Sequence, residues 1–190
     1  ATLFISLLLS SGIWCGSLTA QVAEPWRNAY AGEDASGSHV IAYWSFDEGD
    51  GLVKDVSGKG RDGVLAGALR RPDGRFGGCV ESFPGWPVED VHHAVVVSNA
   101  PDLSPKKAFT IEMWICPNEA PANYGQAFLL DKKYVAHTDY QLILEAPNKE
   151  GKRRIRAELG FGEDSETWWS TELAALPPGK WSHLAMTYDG

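Results

Sequence analysis

Cysteine and positive charge are both scarce in this chain, and each shortage narrows its function. Three cysteines, Cys15, Cys79 and Cys116, stand among 190 residues, and no Cys-x-x-Cys spacing marks a redox or zinc site. Lys and Arg total 17 against 25 Asp and Glu, a formal net charge of -8. No basic face is there to neutralise phosphates, so nucleic acid is excluded as a partner, and anionic membranes are disfavoured. The acidic balance permits calcium. A Gly-x-Ser-x-Gly elbow and a phosphate loop are also missing, which removes two common catalytic frameworks. No helical period of ordinary length appears, and no apolar run is long enough for a comfortable membrane span.

What is present points to a soluble, all-β chain. Hydrophobic residues make up 44% and charged residues 22%, with eight Trp and 20 Gly. Large aromatics separated by glycine turns favour strands over helices. The length suits one domain with a sizeable core, or one domain with a tail. Residues 1–20 carry no charge, hold the apolar run Leu3 to Leu9, and end in Leu18-Thr19-Ala20. These are the h-region and cleavage region of a secretory signal, without its basic n-region or an initiator Met, so the chain is expected to begin inside its signal peptide and to be exported with no membrane insertion after cleavage. Export leaves Cys79 and Cys116, which form either one disulfide or two buried thiols. Residues 21–38 are small and polar and read as a linker.

From Val40 onward, short alternating runs are divided by Gly, Pro and Asp turns. Strands are expected at Ile41 to Phe46, Gly63 to Leu65, Cys79 to Phe83, Ala94 to Val97 and Phe109 to Cys116. Further strands are expected at Ala127 to Leu130, Tyr140 to Glu145, Ile155 to Phe161, Thr167 to Thr171 and Trp181 to Tyr188. In the clearest of them Phe109, Ile111, Met113 and Ile115 share one face. Ten or so short strands at close spacing mean an antiparallel two-sheet sandwich or jelly roll.

Several phrases resemble the LamG-like jelly-roll family of the concanavalin A-like superfamily. Tyr43-Trp44-Ser45-Phe46-Asp47-Glu48-Gly49 is similar to its opening strand and turn. Asp55-Val56-Ser57-Gly58-Lys59-Gly60-Arg61-Asp62-Gly63 is similar to its glycine-rich second loop, and Phe76 to Phe83 to its next strand. Phe109 to Ile115 and Trp181 to Gly190 resemble its two central strands. The likeness spans about residues 40–190. The family continues with further strands, so the resemblance implies a domain at 39–190 whose C-terminal strands are missing, within a longer protein.

Candidate site residues follow two chemistries. Asp47, Asp50, Asp55 and Asp62 lie in two Gly-rich turns that can offer carboxylate and carbonyl oxygens to calcium, although such aspartates also cap their own turns. The family resemblance implies a structural or ligand-bridging calcium. Trp86, Trp168, Trp169 and Tyr124 are candidate sugar-stacking residues, in or beside loops or at outward strand positions; the alternative is core packing. Trp168 and Trp169 are adjacent and so face opposite ways. Trp44, Trp114 and Trp181 are expected to be structural, His183 to be a core histidine, and Lys149 to Arg156 to be a solvated hairpin face. No pair of acids alternates along a strand as glycoside hydrolysis needs. The expected function is an exported, non-catalytic module for carbohydrate or glycoprotein, with calcium assisting. The alternatives are a protein-adhesion module braced by calcium, and the front of a glycoside hydrolase.

Overall fold

The computed structural model describes residues 37–49, 51–82, 93–119, 125–132, 138–162 and 164–190. The expected signal segment, most of the linker, and Asp50, Trp86 and Tyr124 lie outside the described residues.

Alternation of apolar and polar residues produces strands throughout, and every strand pairing is antiparallel. Among the described residues the elements are β1 (Leu52–Val53), β2 (Gly63–Ala66), β3 (Leu69–Arg71), β4 (Cys79–Glu81), β5 (Ala94–Val97) and β6 (Phe109–Ile115). They continue as β7 (Ala127–Asp131), β8 (Thr138–Leu144), β9 (Ile155–Phe161), β10 (Ser165–Trp169) and β11 (Ser182–Tyr188). Short 3-10 turns at Pro101–Leu103 and Glu172–Ala174 are the helical elements among the described residues. The strands form a sheet β10-β9-β8-β7, a pair β11-β6, a sheet β1-β2-β5 and a pair β3-β4.

The core lies between the first two of these. Leu142, Leu144 and Ile155 pack against Ile111, Met113 and Ile115 of β6 and Leu184 and Met186 of β11. The buried Leu142, Leu144 and Ile155 each contribute about 1.5–3 kcal/mol by leaving water, and the partly buried residues less. The alternation in β6 and β11 therefore points its apolar set inward, and the all-β sandwich is as expected.

Four local expectations change. Ile41 to Phe46 alternates like a strand, but it forms no ladder among the described residues. Its Tyr43 N–H donates to the Asp55 carboxylate at 3.0 Å instead, and Phe46 turns to a positive φ of 64°. The short strands β1 and β3 are not among the expected strands, because two or three residues are too few to show a period. Cys79 and Cys116 are free thiols, not a disulfide. Burial pushes the Cys79 thiol up, helped by Asp73 and Glu81, and burial pushes Cys116 up as well. His183 stands on the solvent side of β11, with Leu184 and Met186 taking the core side.

Candidate functional site

The Gly-rich loop at residues 55–63 is built around one carboxylate. Asp55 Oδ1 accepts from the backbone N–H of Tyr43 at 3.0 Å and of Ser57 at 2.9 Å, and Oδ2 accepts from Arg61 N–H at 2.8 Å. Gly58 and Gly60, with φ of 78° and 73°, supply the left-handed turns that aim these N–H groups inward. Asp62 Oδ1 accepts the Asp55 N–H at 2.8 Å. Burial acts to raise the Asp55 carboxyl, but its bonds from Ser57, Tyr43 and Arg61 outweigh burial and hold it below the usual range. Asp47 sits apart from this pair, where its Oδ1 accepts Gly78 N–H at 2.7 Å. Gly78 is needed there because a Cβ would overlap the Phe46 carbonyl oxygen.

Oδ1 of Asp47 and of Asp62 and both carboxylate oxygens of Asp55 accept from backbone N–H groups, the way aspartates cap a turn. Among the described residues, which do not include Asp50, no group of three His, Cys, Asp or Glu side chains is placed to hold a metal.

A second constellation lies on the face of β7–β10 turned away from the core. β8 is buried on both sides: Leu142 and Leu144 enter the core, so Gln141 and Ile143 point the other way. Ladder pairing places Ile143 between Phe128 and Arg156, and Gln141 between Asp131 and Glu158, with Thr167 beyond Glu158. A register shift between Phe128 and Leu130 lets both Leu129 and Leu130 pack on the core. That bulge is why Phe128 and Asp131, three apart, share the outer face.

The outer face carries two polar groups side by side. Arg156 meets Glu145 at 2.6 Å and Glu158 at 2.5 Å, and it donates to Gln126 Oε1 at 2.6 Å. Gln141 donates to Asp131 Oδ1 at 2.8 Å. The Arg156 side chain is 20% exposed and that of Glu145 26%, so both reach solvent while held in place. Phe128, 50% exposed, presents an apolar surface beside them. A row of fixed donors and acceptors next to an exposed ring can bind a polyhydroxylated ligand. The hairpin run Lys149 to Arg156, expected to be solvated, is exposed at Lys149 and Glu150 but contributes Arg156 to this face. It also contributes Arg153, which is 3% exposed and donates to the carbonyls of Glu145, Gly125 and Leu144.

Trp168 and Trp169 both belong to β10. Trp168 pairs with Ala157 on the core side and lines an apolar cleft of about 210 Å³ with Leu142, Ile155, Leu184 and Met186. Trp169 holds the ladder position across from Arg156. On the outer side of β6, Trp114 meets Phe76 at 5.3 Å and His183 at 5.2 Å, with Arg75 over its ring at 5.2 Å. This is a packing cluster, as expected for Trp114.

The sequence pattern of the concanavalin A-like lectin/glucanases superfamily matches residues 90–190, more than half of the chain. The chain belongs to this superfamily. No curated protein and no solved structure matches it. In this concanavalin A-like chain the matched residues carry β5 to β11, so the core and the outer face of β7–β10 both lie within the match. The Asp55 loop and Asp47 lie before it. The sequence pointed to loop aspartates and tryptophans; it missed Phe128, Gln141, Glu145 and Glu158. Alternation in Tyr140 to Glu145 was visible, but which neighbours stand beside Gln141 depends on sheet order and on the β7 bulge.

Proposed function

We propose that this chain is an exported, non-catalytic module that binds carbohydrate, free or on a glycoprotein, through the outer face of β7–β10. The observation that supports it is the fixed polar row of Asp131, Gln141, Glu145, Arg156 and Glu158 beside exposed Phe128. Sugar hydroxyls need donors and acceptors together, and a flat apolar ring takes the C–H face of a pyranose. Superfamily membership supports the same chemistry, since its description holds lectins and glucanases. Glu145 and Glu158 both engage Arg156 rather than facing each other across an open gap, which supports binding over hydrolysis.

A glycan array probed with the full chain tests the proposal. Arg156→Ala and Phe128→Ala are expected to abolish or reduce binding at least tenfold. Array binding that survives both substitutions in folded protein overturns the assignment to this face, and the absence of binding to any glycan overturns the function.

A further inference from the structure

We draw no further inference here: the strongest candidate, the apolar cleft of about 210 Å³ where Ala157 of β9 and Trp168 of β10 face Leu184 and Met186 of β11, carries nothing, because nothing in the structure shows what covers it.

Discussion

Asp55 is 5% exposed, yet it carries charge, because three backbone N–H groups and the Ser57 side chain solvate it in place of water. An amide in its place keeps one acceptor oxygen but turns an N–H₂ toward a backbone donor. Asp55→Asn is expected to lower stability by about 2–3 kcal/mol, typical of lost hydrogen bonds to a charged group. The loss is expected to be the same with calcium or with chelator, as read by thermal melts. The sign with pH follows from the depressed carboxyl. Its contribution is complete above the ordinary carboxylate pKa of about 4 and disappears as pH falls through the lower folded value. Wild type is thus expected to lose stability below about pH 4 more steeply than Asp55→Asn. Gly78 offers a second test at this scale: Gly78→Ala forces a Cβ into the Phe46 carbonyl and is expected to lower the melting temperature.

At the level of the strand, β8 organises the molecule, since it packs the core with one face and builds the candidate site with the other. Leu142 is fully buried and central to the core cluster. Leu142→Ala is expected to cost about 2–5 kcal/mol in chemical denaturation, through lost burial and the cavity left behind. Tyr140, in the same strand, donates its hydroxyl to the Leu103 carbonyl at 2.8 Å. Burial, with Asp139 adding to it, pushes its phenol up to about 12. A phenol whose folded pKa is raised contributes its full stability below the unfolded value near 10 and loses it as pH rises toward 12. Wild type is expected to weaken between those values more than Tyr140→Phe, and ultraviolet titration of the native protein is expected to show a late-ionising tyrosine that Tyr140→Phe removes.

For the molecule as a whole, among the described residues apolar packing between sheets rather than covalent bracing holds the sandwich. Cys79 and Cys116 are half-buried free thiols with raised pKa, so they are weak nucleophiles near neutral pH. Reductant is expected to leave the melting temperature unchanged. Mass spectrometry after alkylation in denaturant is expected to find both thiols modified. A drop in melting temperature on reduction would mean that a bridge forms and contributes.

Much of the architecture could be read in the linear chain. Alternation over Phe109 to Ile115, Ile155 to Phe161 and Ser182 to Tyr188 has a period of two, and only strands with one face in a core reward that pattern. The phrases that resemble the LamG-like family placed these strands in the right superfamily. The aspartates of the 55–63 loop were recognisable as turn formers or metal ligands, because both uses need the same residue beside glycine. The turn role itself became visible only in the three-dimensional packing, which aims the N–H groups of Tyr43 and Arg61 at Asp55. The same holds for the candidate site. Phe128, Asp131, Gln141, Glu145, Arg156 and Glu158 come from three strands and their ends, and no spacing along the chain records which strands become neighbours. A one-residue bulge in β7 sets which side of the sheet Phe128 and Asp131 occupy, and that shift follows from how Leu129 and Leu130 both find the core.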